Sequence, residues 1–166
     1  DRFVINVQPD QTQAFQSTLK QTGVQNYDWY PMIRGRLVAI NGKSVSPQDY
    51  TDERAKRLVD REFNLSSRAA KPEHNEVVKG AWLENEKDAV SVEVGIAKTL
   101  GLKMGDRLQF DIGGVLSEGR VTSLRKVDWG SMRANFFVIY PVDNLPNVPL
   151  SYMAAFKSPD VPSFER

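Results

Sequence analysis

A long extended segment decides the predicted fold: YDWYPMIRGRLVAING, residues 27–42. Aromatic and β-branched side chains, which favour strands, recur along it, and Pro31 interrupts it. Its last strand residues, Leu37–Ile40, run into Asn41-Gly42, a strong signal for a two-residue hairpin turn. We therefore expect extended chain over residues 27–40, followed by a tight turn.

The residues before this segment predict a strand and a helix. Phe3–Val7 alternates apolar and polar side chains, as a strand with one buried face does. Residues 11–22 follow Asp10, a plausible helix cap, and end at Gly23, a common helix stop. The first 42 residues thus predict strand, helix, strand.

The rest of the chain predicts a mixture of strands and one further helix. Residues 52–62 carry eight charges of mixed sign and fit a helix or a strand, while residues 62–67 fit a strand better. A helix is predicted over residues 91–100, with Ser91 as its N-cap and Gly101 as its stop. Further strands are predicted over residues 77–83, 108–112, 119–127, 135–140 and 152–156, with residues 135–140 buried on both faces.

Composition excludes several classes of function. The chain has 22 basic and 21 acidic residues, a net charge of +1, so it lacks the excess positive charge typical of nucleic-acid binding. No apolar run approaches the roughly 20 residues that span a bilayer. The chain contains no Cys, which excludes disulfides and thiolate chemistry within it.

Residues suited to catalysis are scarce. The only histidine, His74, lies in a polar stretch without a second histidine nearby, which does not resemble a zinc site. No serine-nucleophile elbow, phosphate-binding loop or dinucleotide fingerprint occurs, and Gly113-Gly114 fits a hairpin turn better than a phosphate cradle. We expect a protein that is not an enzyme, with no catalytic residue, no cofactor and no metal.

Three aromatic residues are candidates for contact with a partner: Trp29, Tyr30 and Trp129. They stand next to Pro31, Asp128 and Gly130, so that contact with a partner stays open for them, whereas Phe136 and Phe137 fit the core. Aromatic faces contribute much binding free energy with few rotatable bonds. Packing in the core is the alternative for each of them, and the sequence leaves both open.

Several motifs, taken in chain order, resemble a known family. Residues 30–36 (YPMIRGR) and 57–66 (RLVDREFNLS) resemble the periplasmic region of FtsX-like permeases of the MacB superfamily, which are ABC-transporter components. The resemblance continues through residues 91–93 (SVE), 100–106 (LGLKMGD), 123–129 (SLRKVDW), 135–138 (NFFV) and 149–152 (PLSY). The ordered set is more specific than any single motif.

The resemblance implies a two-lobed α+β fold. One porter-like lobe, a strand-helix-strand sheet, would be formed by residues 1–44 and 134–166. A mostly β lobe, residues 45–133, would be inserted between them. Ser163 would begin a second helix of the first lobe, which the end of the chain truncates; we therefore expect this chain to be a piece of a longer protein.

The resemblance also implies a function. In such permeases this domain stands on the periplasmic side of a bacterial inner membrane, joined to membrane segments that flank it. A separate cytoplasmic subunit binds ATP, and the domain couples the resulting movement to handling or export of a lipid-like, lipoprotein or small-molecule cargo. Further expected partners are a second permease copy or a periplasmic protein. The alternative is a free-standing extracytoplasmic module that binds peptide, sugar or lipid.

Overall fold

The computed structural model describes residues 2–14, 17, 27–129, 135–145, 148–149 and 151–156. The described helices are α1 Glu53–Val59 and α2 Val94–Leu100, with short 3-10 turns at Pro9–Gln11 and Pro47–Asp49. The strands are β1 Arg2–Val7, β2 Tyr27–Ile40, β3 Lys43–Ser44, β4 Phe63–Ser67, β5 Asn75–Gly80, β6 Ala89–Glu93, β7 Arg107–Ile112, β8 Val115–Val127, β9 Val138–Tyr140 and β10 Ser151–Phe156.

Six strands close into a barrel in the order β2-β4-β9-β6-β8-β7 and back to β2. The pairs β4–β9 and β6–β8 are parallel, and the other four pairs are antiparallel. Closure pairs the backbone N–H and C=O groups that would stay unpaired at the edges of an open sheet. The barrel is therefore the rigid part of the described chain, and β5 extends it by pairing with the outer portion of β8.

The longest strand, β2, belongs to two sheets at once. Its first part, residues 27–32, pairs with β10, which in turn pairs with β1. Its second part pairs with β4 and β7 inside the barrel. The predicted extended chain over residues 27–40 is thus confirmed, and so is the Asn41-Gly42 turn, where both residues have positive φ (52° and 80°).

The predicted two-lobed α+β fold is wrong. The chain is mostly β, with a closed six-stranded barrel and short helices. The physical reason is the continuity of β2, which carries the outer strands and the barrel on one backbone ladder. The boundaries proposed at residues 44/45 and 133/134 stay a prediction. Of the predicted helix over residues 11–22, residues 12–14 and 17 are described and are helical, and most of the others lie outside the described residues. The predicted helix start at Ser163 lies outside them as well.

The charged segment over residues 52–62 contains a helix. Asp52 caps α1, and its side chain accepts a hydrogen bond from the amide of Ala55 at 2.9 Å. Ala55, Leu58 and Val59 are buried against the barrel, whereas the charged positions face outward. Ala55, Leu58 and Val59 are three and four residues apart, and in a helix this spacing places all three side chains on one face. The segment therefore forms a helix and not a strand.

Ser91 is not a helix cap, which corrects the prediction for residues 91–100. It lies within β6, and Glu93 caps α2 instead, because both its carboxylate oxygens accept backbone amides, Gly95 at 2.7 Å and Ile96 at 2.8 Å. The helix ends as predicted at Gly101, whose φ of 73° is left-handed. The cap therefore lies two residues later than the sequence reading placed it.

The predicted strand over residues 135–140 is shorter than expected. Only Val138–Tyr140 forms β9, and all three of its residues are buried. The carbonyls of Phe136 and Phe137 accept hydrogen bonds from a buried arginine, and the carbonyl of Phe137 also accepts one from the amide of Glu93 at the end of β6. The prediction of a strand buried on both faces is therefore confirmed only for the three residues of β9.

In the described part of the chain, no helix has the length and apolar character needed to cross a membrane.

The main core lies inside the barrel and under the two helices. Leu65 is fully buried on β4, opposite Ile33 of β2 and Val138 of β9. A second, smaller cluster joins Tyr30, Met32, Phe136 and Ile139 on the other side of the sheet.

We predict that Leu65→Ala lowers the free energy of unfolding by about 2–5 kcal/mol, because it leaves a cavity in the closed barrel. Leu83→Ala is the matched control, since Leu83 is 56% exposed, and it should change stability by less than about 0.5 kcal/mol. Urea unfolding followed by tryptophan fluorescence measures both. Equal effects of the two variants would mean that the barrel interior is not the stabilising core.

Candidate functional site

A buried arginine holds together the part of the barrel that carries the candidate site. Arg125 lies on β8 and is fully buried. Its Nε donates to Ser91 Oγ at 2.9 Å and its Nη1 to Asn75 Oδ1 at 2.6 Å. Its Nη2 donates to the carbonyls of Ser91, Phe136 and Phe137 at 3.0–3.2 Å. One side chain thus joins β5, β6, β8 and the segment before β9.

The charge of Arg125 is stabilised mainly by neutral oxygen atoms. Burial lowers the pKa of Arg125 to about 10, and the carboxylate of Glu93 opposes that shift. Glu93 is the register partner of Arg125 on β6, but its two oxygens are already occupied in capping α2. The guanidinium therefore remains protonated at neutral pH and keeps its hydrogen bonds to three carbonyls and two side chains.

This network fixes a run of aromatic rings that leads from the core to the surface. Phe137, held through its carbonyl, packs edge-on against Phe63 with ring centroids 6.0 Å apart. Phe63 meets Phe110 of the core in the same way, at 5.9 Å. On the outer side Phe137 contacts Trp129 at 5.4 Å, and Trp129 is 51% exposed. The exposed indole therefore rests on a rigid support.

A groove of about 420 Å³ lies beside Trp129, and we call it the Trp129 groove. Its floor is apolar, formed by Leu58, Phe63 and Phe137. Arg34 and Arg61 face it with Glu62 and Asn64, so two cationic side chains stand against one carboxylate. An apolar floor with a cationic rim suits an amphipathic ligand that carries a negative group.

The three aromatic residues predicted as partner contacts occupy different places. Trp129 lines the groove and is half exposed. Tyr30 is 2% exposed, contacts Phe136 at 5.6 Å and carries the guanidinium of Arg68 over its ring at 5.1 Å. The side chain of Trp29 lies outside what the structure describes. The contact role of the three stays a prediction, and only Trp129 is placed at the groove.

Sequence reasoning missed the arginines of this site. Arg34 and Arg36 alternate with buried residues along β2, so their outward position could have been read from the strand pattern. Arg125 occupies a buried position of the alternation on β8, where an apolar residue is normal, and that mismatch was the available signal. Within the described ranges, no three His, Cys, Asp or Glu side chains group together as metal ligands would.

The fold and this groove define the chain as a rigid β-barrel domain with an exposed, arginine-rimmed aromatic surface. No family model matches the chain. The chain is 36% identical, over 155 residues, to the uncharacterized ABC transporter permease YbbP of Escherichia coli (strain K12). The match covers 93% of this chain and 18% of that protein, so the chain spans about a fifth of the relative's length. The chain is thus homologous to a segment of an ABC transporter permease.

A solved structure of a domain assigned to a permease of Porphyromonas gingivalis is also similar. The match covers 89% of this chain and 69% of that one, with a TM-score of 0.45 and 10% identity.

We predict that Arg125→Lys lowers the free energy of unfolding by roughly 2–4 kcal/mol, because an ammonium keeps a buried charge but cannot reach all the acceptors of the planar guanidinium. Arg120→Lys is the matched control: Arg120 is exposed on the same strand and should tolerate the change. Urea unfolding of both variants is the measurement. If Arg125→Lys leaves the free energy of unfolding unchanged, the network does not support the site.

Proposed function

We propose that this chain is the periplasmic domain of an ABC-transporter permease of the FtsX-like, MacB type. In this role it couples ATP-driven movement of flanking membrane segments to the handling or export of cargo. The ATP would be hydrolysed by a separate cytoplasmic subunit, and this chain would perform no chemistry itself. The observation that carries the proposal is the 36% identity to an ABC transporter permease over 93% of the chain.

The architecture supports a mechanical role. A closed barrel with a packed interior deforms little under load, because protein interiors have low compressibility. The strand β2 leaves that barrel and continues into the outer sheet with β10 and β1. A displacement applied at the outer sheet would therefore reach the barrel, and with it the Trp129 groove, through a continuous backbone ladder.

We predict that a cysteine at residue 116 of the full-length permease is labelled from the periplasm. Leu116 is 61% exposed, and the chain has no native Cys, so Leu116→Cys introduces a single thiol here. In cells with a permeabilised outer membrane and an otherwise cysteine-free permease, a membrane-impermeant maleimide should label it without lysis. Labelling is read as a mass shift of the purified protein.

Ala55→Cys is the control, because Ala55 is fully buried and should react only after denaturation. If residue 116 reacts only after the inner membrane is opened, the periplasmic placement is wrong. If the complete protein proves to be free of the membrane, the free-standing binding module replaces the permease as the better proposal.

The Trp129 groove supports an acidic lipid or lipid-modified cargo over a neutral one. Its apolar floor would hold part of an acyl chain, while Arg34 and Arg61 would bind the phosphate. Arginine forms paired hydrogen bonds with phosphate oxygens. In a zwitterionic headgroup such as phosphocholine, the quaternary ammonium beside the phosphate would be repelled by the two arginines and would weaken binding.

We predict that monomeric lysophosphatidylglycerol with a brominated acyl chain quenches the fluorescence of Trp129. Trp129→Phe should remove most of that quenching, although two other tryptophans remain. Arg34→Gln should weaken binding about threefold to tenfold, through loss of a charge-assisted hydrogen bond. Arg54→Gln, an exposed position on α1 outside the groove, should not. Equal quenching by lysophosphatidylcholine, or equal effects of the two arginine variants, would contradict an acidic cargo.

A further inference from the structure

A larger cavity of about 750 Å³ opens at another place on the barrel. The loop over residues 85–88 and the segment over residues 142–145 form two of its walls, and residues 116–118 of β8 form a third. The backbone amide of Asn85 donates to the carbonyl of Pro141 at 2.7 Å, which pins the two loops together. Asn85 and Asp88 adopt left-handed φ angles of 64° and 55°, a conformation that Asn and Asp tolerate better than most residues. We call this space the Tyr140 cavity.

The Tyr140 cavity is strongly acidic for a chain of net charge +1. Its lining includes the carboxylates Glu86, Asp88, Glu118 and Asp143, against one cation, Lys87. Glu118 lies 3.5 Å from Arg107 in an exposed ion pair, and Asp143 accepts the amide of Ala69 at 3.0 Å. Within the described residues only Glu118 is paired with a cation, so the excess of negative charge is carried by Glu86, Asp88 and Asp143 along a concave wall.

Two buried polar atoms lining this cavity lack a hydrogen-bond partner in the described part of the chain: one carboxylate oxygen of Glu86 and the hydroxyl of Tyr140. Tyr140 is only 3% exposed. Burial raises the pKa of Tyr140 to about 12, with Ser117 opposing the shift in part, although the two side chains do not reach hydrogen-bond geometry. Buried polar groups without a partner are costly, and a ligand that supplied donors would satisfy both.

The same cavity has an apolar wall. Leu116 is 61% exposed, the highest value among the exposed large hydrophobic side chains of the described residues. Val142 and Leu145 also belong to the lining and add to its apolar part. Burying such a surface against a ligand contributes about 25 cal/mol per Å² of apolar area removed from water.

We propose that the Tyr140 cavity binds a small amphipathic organic cation. Its ammonium group donates to the Glu86 oxygen and the Tyr140 hydroxyl, and its apolar body covers Leu116. The volume lies within the 300–1,000 Å³ range of sites for such molecules. The described carboxylates do not converge as metal ligands do, which favours an organic cation over a metal ion. The site does not depend on the transporter role proposed above.

Three naphthyl ethers that share the aromatic body and differ in the charge of the side chain test this proposal: the amine propranolol, a neutral naphthyloxy propanediol and the anion naphthyloxyacetic acid. Titration calorimetry with the 166-residue chain should show saturable binding of propranolol, about tenfold or more tighter than either of the others. Added salt should weaken the binding, because part of the attraction is between solvent-exposed charges.

Glu86→Gln keeps the shape of the side chain and should weaken propranolol about tenfold by removing the charge. Glu84→Gln is the matched control, two residues away and exposed outside the cavity lining, and should leave the affinity unchanged. Leu116→Ser, at an exposed position that folding tolerates, should also weaken binding. No saturable binding of propranolol, equal affinity for the three ethers, or equal effects of Glu86→Gln and Glu84→Gln would each overturn the proposal.

Discussion

The guanidinium of Arg125 supplies hydrogen bonds to the segment that leads into the short strand β9. Phe136 and Phe137 precede the three-residue strand β9, and the carbonyls of both accept hydrogen bonds from Arg125 Nη2. Without those donors, the carbonyl of Phe136 and the side-chain oxygen of Asn75 would lose hydrogen bonds in a buried place, each at a cost of about 1–3 kcal/mol. The carbonyl of Phe137 and Ser91 Oγ would keep their second donors, the amide of Glu93 and the hydroxyl of Ser123. Arg125 and the amide of Glu93 together fix the position of Phe137, on which the exposed Trp129 rests.

Closure of the barrel is the second constraint, and it separates rigid from exposed parts of the surface. Strands β2, β4, β9, β6, β8 and β7 have no free edge between them, whereas β5 and β1 end the sheet on either side. Both candidate binding surfaces use residues from the barrel strands together with the segments that connect them. Each surface therefore combines a fixed wall with a loop whose chemistry can vary, which is how many binding sites are built.

Local features of the fold could be predicted from the sequence, but its closure could not. The extended segment over residues 27–40 and the turn at Gly113-Gly114 follow from side-chain type and turn chemistry, and both are present. Closure depends on which distant strands pair, and periodicity carries no information on the parallel pairing of β4 with β9. At the candidate site, Trp129 could be singled out as an aromatic residue next to polar and turn residues. The arginines carried weaker signals: Arg34 takes an outward position in the alternation along β2, and Arg125 stands out only as a cation at a buried position of β8. Neither signal shows that the side chains belong to one site.

Although the net charge is close to zero, the chain has two local surfaces of opposite charge. The Trp129 groove sets two arginines against one carboxylate, and the Tyr140 cavity sets four carboxylates against one lysine. Both are attached to the same barrel, β4 contributing to the first and β8 to the second. Because the barrel is closed and packed, a ligand at one surface would not easily reshape the other, and each site can select by charge independently. Average composition therefore excludes a broad basic surface but leaves local selectivity undecided, since selectivity is set by where a fold places a few uncompensated charges beside apolar walls.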